Sequence, residues 1–340
     1  MTHPVFYVRQ QHQPFPHVHI SGPIDCTIAL RGATIMEWRH EGQPIIDGYQ
    51  NYEELRGQDG VRSGVLAPYA GRIRDAKYWL DGSEHDLKPG QADRTVFHGF
   101  ARDTDFSLVR VDYEPGEVSL AFCADIRPDQ VPGYPFRLRL QTTYKLTRDG
   151  VSLTIEASNL DSKPAPISVG WHPYFRIGSS VNHVVLNIPA DRALVLDETF
   201  NPDHEAGDKE IIDTDLDFRN PRAIGPTRLD TCYTDITVDV NGLSKVTLGT
   251  TESDERIQVW QRGGLVYAYT GDRLERDPRR SIAIEAISHI PDAFNASEHI
   301  PTVRVAPGQS RIFQCGFAYS PSSARITEAQ MKSMQTAKSN

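Results

Sequence analysis

The sequence predicts an all-β protein, a large antiparallel β-sandwich with a few short helices, and three observations predict it. Apolar and polar residues alternate with period two along much of the chain, while long 3.6-residue periodicity is nearly absent. Asp-Gly, Asn-Gly and Pro-Gly clusters punctuate the alternating runs. Antiparallel strands at this density, without intervening helices, build a sandwich or barrel rather than an α/β fold.

The clearest element is 136–159. Phe136, Leu138, Leu140, Thr142, Tyr144 and Leu146 share one face, and after Arg148-Asp149-Gly150 the pattern resumes with Val151, Leu153, Ile155 and Ala157. Two such runs around Asp-Gly read as a hairpin with one buried face. Similar signals mark strands at 27–39, 117–126, 184–189, 193–196, 236–240, 245–249, 256–261, 266–270, 281–287 and 309–318. Short helices are expected at 52–55 and 128–131. With no internal repeat and no Pro/Ser linker, one domain over 1–320 is expected, followed by a polar tail over 321–340 to which no function is assigned.

Charge and cysteine usage narrow the function. The 340 residues carry 36 Lys and Arg against 45 Asp and Glu, a formal net charge of −9. Scattered basic residues on an acidic chain argue against a duplex nucleic-acid partner, which needs a clustered cationic surface. Cys26, Cys123, Cys232 and Cys315 are far apart, so no local zinc motif exists and a disulfide scaffold is not expected. The first residues show no basic segment followed by an apolar stretch, and no apolar run approaches the ~18–20 residues that span a bilayer. A cytoplasmic monomer or homodimer, with no membrane partner, is the expectation.

Six side chains are candidates for chemistry. Glu285 sits in Ser281-Ile282-Ala283-Ile284-Glu285-Ala286-Ile287, a strand otherwise apolar on both faces, where partial desolvation raises a carboxylate pKa and suits it to proton transfer. Read alone, it is equally a strand-end carboxylate that reaches solvent or pairs with an arginine. His172, in Trp171-His172-Pro173-Tyr174-Phe175, reads as a fixed imidazole at a strand end that titrates near neutrality, or as a core histidine bonded to a carbonyl. His98 precedes Gly99, which permits close backbone approach to a ligand; the alternative is a turn histidine. Arg72, in Pro68-Tyr69-Ala70-Gly71-Arg72-Ile73, presents a donor fork or a structural salt bridge. Asp230 accepts from hydroxyls or caps a turn. Arg102 joins them below. The run 273–280 mixes charges around Asp277-Pro278 and reads as a solvated hairpin tip. No phosphate-cradling glycine loop and no histidine-rich metal spacing is present.

Taken in order, Pro68-Tyr69-Ala70-Gly71-Arg72-Ile73, His98-Gly99-Phe100-Ala101-Arg102, His172-Pro173-Tyr174-Phe175, Leu216-Asp217-Phe218-Arg219, Leu229-Asp230, Ile284-Glu285 and Pro291-Asp292-Ala293-Phe294-Asn295 resemble the aldose 1-epimerase (galactose mutarotase) family. Each motif is weak alone; their order over 66–295 is the specific part. The resemblance implies the galactose mutarotase-like supersandwich, with its site in a groove on one face. It implies Glu285 as general base and His172 as general acid, with His98, Arg72 and Asp230 binding hydroxyls of a small-molecule sugar. It implies no cofactor and no metal, because ring opening to the aldehyde and reclosure involve no redox change and no C–H cleavage.

Two departures from that pattern bear on the substrate. Many relatives carry Asn where this chain has Gly71, which puts one hydroxyl contact in doubt. Ala101 stands where galactose mutarotases often have a second Gly, and the segment resembles the subgroup of hexose-6-phosphate epimerases and sulfoquinovose mutarotases, in which Arg102 would meet an anionic substituent. The segment before Arg72 resembles the neutral-sugar enzymes instead, and an unphosphorylated hexose is the expectation. A non-catalytic sugar-binding protein is the alternative from another class. Glycosidase chemistry needs a second carboxylate roughly 5–10 Å from the first.

Overall fold

The structure is a computed structural model that describes residues 5–203, 205–212 and 214–323. The alternation at 136–159 folds as a hairpin: Leu138–Thr147 and Gly150–Asn159 pair antiparallel along their whole length, Leu138 against Asn159 and Thr147 against Gly150. Leu138, Leu140, Tyr144, Leu146, Val151, Leu153 and Ile155 are all buried on one face. Gly150 serves the sheet rather than the turn. A Cβ there would lie 2.1 Å from the Phe317 carbonyl oxygen, so glycine lets the strand Ser310–Ser320 close on the hairpin.

The protein is an all-β antiparallel sandwich. In one nine-stranded sheet, Leu243–Thr250, Arg256–Arg262, Ser310–Ser320, the hairpin, Glu117–Ile126 and Ser107–Glu114 follow one another. A thirteen-stranded sheet carries Ile24–Ala29, Thr34–His40, Gln43–Asp47, Tyr174–Phe175, Ile282–Ile287, Leu265–Tyr269 and Asp230–Ile236 in that order. The inner faces meet through aromatic rings: Trp38 lies 5.1 Å and Phe175 5.3 Å from Phe317, both edge to face. Apolar surface buried between two half-wet sheets is the main stabilising term of such an architecture.

Several elements depart from the sequence reading. The strand expected at 27–39 is two, Ile24–Ala29 and Thr34–His40, because the chain reverses through Gly32 (φ +67°). The strand placed at 236–240 runs instead as Asp230–Ile236; Val238 and Val240 alternate but have no sheet face to cover them. The helix at 52–55 forms as Tyr52–Gly57, capped by the Asn51 side chain accepting from the Glu54 N–H at 2.9 Å. At 128–131 there is only a turn, closed from Gln130 N–H to Arg127 carbonyl at 3.0 Å. Pro132 disfavours a helical Val131, and Gly133 follows.

All four cysteines are free thiols. Among the described residues no helix is long and apolar enough to cross a membrane. Of the tail at 321–340, Ser322 and Ser323 bond to Asp254, and 324–340 lie outside the described residues.

Candidate active site

The strand Ile282–Ile287 is buried along its whole length, yet its two faces differ. Ile282, Ile284 and Ala286 point into the sandwich core, leaving Ala283 and Glu285 on the opposite face. Strand register places the partners. Glu285 faces Tyr267 and Tyr267 faces Cys232, while Ala283 faces Tyr269 and Tyr269 faces Asp230. On the other side Trp171 pairs with Ala286 and Tyr174 with Ala283. Period two therefore sets Glu285, Tyr267, Tyr269, Asp230, His172 and Tyr174 on one outer face.

Loops wall this face. Residues 67–72 and 97–99 are zipped together by bridges from Ala67 to Gly99 and from Arg72 to Phe97. Gly71 N–H donates to Nδ1 of His98 at 3.2 Å, and His98 N–H to the Gly71 carbonyl at 2.8 Å. The first bond makes Nδ1 an acceptor, so Nε2 carries the ring proton. Gly71 has φ +76°, and a Cβ there would lie 2.7–2.9 Å from Pro291. Glycine is what this wall requires at that point.

The result is a cavity of about 300 Å³ lined by Arg72, Phe97, His98, His172, Tyr174, Phe200, Asp230, Tyr267, Tyr269, Arg273 and Glu285, among others. At its floor His172 Nε2 lies 3.1 Å from Glu285 Oε1, with the residues 4% and 3% exposed. The His98 ring stands perpendicular to His172 at 5.1 Å. Burial above all, then the charges of His172, Arg102 and Arg72, hold the His98 pKa well below the usual histidine range. His98 is thus a neutral donor with a fixed tautomer. On the far wall, Tyr267 Oη donates to Asp230 Oδ1 at 2.7 Å and Arg273 Nη2 to Oδ2 at 2.5 Å. Phe200 lies between two guanidinium groups, 5.4 Å from Arg72 and 4.4 Å from Arg273. A buried histidine–carboxylate pair under a rim of hydrogen-bonding side chains and aromatic rings has the composition to transfer protons on a polar ligand.

Residues 17–317 match the aldose 1-epimerase family. The chain belongs to that family. Escherichia coli YihR, an uncharacterized protein, is 26% identical over 279 residues, covering 81% of this chain and 84% of its own. Human galactose mutarotase is 26% identical over 205 residues, 59% of this chain and 57% of that protein. Among solved structures, the galactose mutarotase-like protein of Clostridium acetobutylicum superposes with a TM-score of 0.80 at 15% identity. Galactose 1-epimerase of Lactobacillus acidophilus does so with 0.77 at 17%. Each comparison covers 94% of this chain and 99% of the other, and shows a shared fold.

Of the six side chains singled out in the sequence, the fold brings Glu285, His172, His98, Arg72 and Asp230 to this one cavity of the family's sandwich. Arg102 is not on its wall. Its guanidinium stacks 4.7 Å from the Phe97 ring, with Nε and one Nη buried without a hydrogen bond. The closest approach of Gly99 is to Ala67 rather than to the cavity, since a Cβ would meet the Ala67 carbonyl oxygen at 2.0 Å. The run 273–280 is an anchored loop, not a solvated tip. Arg276 reaches Asp47 and the Gly48 carbonyl, Arg279 reaches Asp272, and Arg273 enters the site.

Sequence reasoning missed Tyr267, Tyr269, Arg273 and Phe200. The two tyrosines carried a usable signal, because the alternation at 266–270 sets both on one face. Phe200 carried none. One ring nitrogen from each of His98 and His172 and one Glu285 oxygen lie within 4.8 Å of one another, a spacing from which a divalent ion can be held. With Nδ1 accepting from Gly71, Nε2 of His98 carries the ring proton and offers no lone pair to an ion.

Proposed function

We propose that the protein is an aldose 1-epimerase that interconverts the α and β anomers of a free hexose or close derivative. The observation that carries this reading is the buried His172–Glu285 pair, 3.1 Å apart at the floor of the cavity. Glu285 takes the proton of the anomeric hydroxyl while His172, in its protonated form, gives one to the ring oxygen. The bond from C1 to the ring oxygen breaks, and the free aldehyde forms. Rotation about C1–C2 presents the other carbonyl face. Reclosure then returns the proton from Glu285 to the anomeric oxygen and takes the ring hydroxyl proton onto His172. Each positioned acid or base contributes on the order of 10²–10⁴-fold. His98 donates through Nε2, while Arg72, Asp230 and Arg273 hold hydroxyls and so fix the ring over the pair.

A second reading keeps the chemistry and changes the sugar. Arg72 and Arg273 both line the cavity, Arg273 paired with Asp230, and a guanidinium group there can meet an anionic substituent. On that reading Arg273, rather than Arg102, meets the anion. One experiment tests both: anomer exchange by proton NMR on glucose, galactose, glucose 6-phosphate and sulfoquinovose. Acceleration of the neutral hexoses supports the first reading, and acceleration confined to the charged pair supports the second. A folded protein that accelerates none of them contradicts both.

A further inference from the structure

Arg72 holds substrate hydroxyls in the reaction proposed above, yet no polar group of the fold holds Arg72. Its guanidinium makes no hydrogen bond and no ion pair among the described residues, and none of its nitrogens is buried. Its neighbours differ: Arg74 donates to Asp197 at 2.7 Å and Arg273 to Asp230 at 2.5 Å. Arg72 is held by rings instead. Its Cζ lies 5.5 Å from the centre of the Phe97 ring and 5.4 Å from that of Phe200. The antiparallel bridge between Arg72 and Phe97 accounts for the first contact, since bridge partners set their side chains beside each other.

The second contact comes from a distant loop. Leu196 and Pro202 bridge at its base, and Asp197 accepts from the N–H groups of Thr199 at 2.8 Å and Asn201 at 3.2 Å. Arg74 also donates to the Pro202 carbonyl at 2.7 Å, which ties the loop to the segment carrying Arg72. At the tip, half-buried Phe200 has φ +60°, a left-handed backbone that bulky residues seldom adopt. Among the described residues, the β-branched or ring-bearing side chains at positive φ are those of Val61, His98 and Phe200, and all of them line this cavity. Such strain persists only where the surroundings impose it, and it clusters at functional sites.

The same two rings meet further cations, Phe97 with Arg102 at 4.7 Å and Phe200 with Arg273 at 4.4 Å. Arg102, Phe97, Arg72, Phe200 and Arg273 therefore alternate cation and ring from behind one wall to the Asp230 side of the cavity. A ring face attracts a guanidinium without occupying its N–H groups.

We propose that Phe200 is a positioning residue: with Phe97 it holds the Arg72 guanidinium by ring contacts alone, so that the donor fork stays free for the bound sugar. The proposal rests on the mutarotase reading of this cavity.

The test compares wild type, Phe200→Leu and Phe200→Tyr, each with and without Arg72→Met, on glucose, galactose, glucose 6-phosphate and sulfoquinovose. Phe200→Leu keeps an apolar side chain and removes the ring. A contact made equally in ground and transition states raises KM and leaves kcat alone. KM should therefore rise about 3- to 10-fold, the scale of a cation–π contact, with kcat within about twofold and Tm within about 2 °C of wild type. Phe200→Tyr keeps the ring and should return KM to within about twofold of wild type. In the Arg72→Met background Phe200→Leu should add nothing, because it acts through Arg72. An unchanged KM in Phe200→Leu overturns the proposal, and so does a rise that Phe200→Tyr fails to restore or that persists without Arg72. The Nε–H resonance of Arg72 in isotope-labelled protein, assigned by its absence from Arg72→Met, reads the clamp without any sugar. It should shift in Phe200→Leu and return in Phe200→Tyr; a resonance indifferent to Phe200→Leu overturns the proposal. If wild type binds these sugars by saturation-transfer NMR without interconverting them, the mutarotase reading alone fails, and Kd replaces KM in the same comparison. A wild type that neither binds nor interconverts any of them overturns both.

Discussion

The Gly71 backbone N–H and the His98 Nδ1 atom are hydrogen-bonded at 3.2 Å, and this contact decides what His98 can do. With Nδ1 committed as an acceptor, the imidazole offers the cavity an N–H and no basic lone pair. The two histidines of the site therefore divide their roles: His98 is a neutral donor, and His172 faces the carboxylate.

That division has a consequence for stability. The folded-state pKa of His98 lies well below the unfolded value of about 6.5, and buried His289 is pushed down to about 4. In this window the unfolded chain binds protons that the folded chain does not. Stability is thus fully present above about pH 6.5 and falls as pH drops below it, by at most ~1.4 kcal/mol per pH unit for each histidine. Urea unfolding of wild type and His98→Gln at pH 7 and pH 5 checks this. The variant should lose less stability between the two pH values than wild type does.

Arg273 and Arg102 separate by position. Arg273 bonds Asp230 at the cavity, whereas Arg102 stands behind Phe97. Arg273→Met should lower kcat/KM for glucose 6-phosphate relative to glucose by about tenfold, the ~1.4 kcal/mol scale of one charged contact. Arg102→Met should leave that ratio within about twofold. Steady-state kinetics on the two sugars in each variant decides it, and the reverse pattern would return Arg102 to the account.

Gly71 has no room for a side chain. Gly71→Ala combines a left-handed backbone with a Cβ driven against Pro291, and should cost roughly 1–3 kcal/mol in urea unfolding. Because Gly71 also holds His98, the variant should raise KM as well. An Asn at this position meets the same Cβ obstacle.

Much of the architecture was legible in the sequence because period-two alternation reports burial directly. The hairpin at 138–159 and the strand Glu117–Ile126 follow from it. The same rule misled at 236–240, where Val238 and Val240 alternate in the absence of a sheet. In the site, the family resemblance named Glu285, His172, His98, Arg72 and Asp230, and the fold sets them around one cavity. Arg273 was hidden inside a charge run whose anchoring partners, such as Asp47, lie more than 200 positions away in the chain. Phe200 sits on a loop whose conformation depends on Asp197, which accepts from Thr199 and Asn201. Such contacts have no local pattern to betray them.

A base and acid pair at Glu285 and His172 differs from a binding contact in one measurable way. Glu285→Gln separates the two, since the amide oxygen still accepts from His172 but can no longer take a proton. Measured by proton NMR exchange alongside sugar affinity, the variant should lose on the order of 10²-fold or more in turnover, with Kd within about tenfold, or ~1.4 kcal/mol. Turnover retained in the variant, or turnover and affinity lost in equal measure, would rule out the acid and base roles.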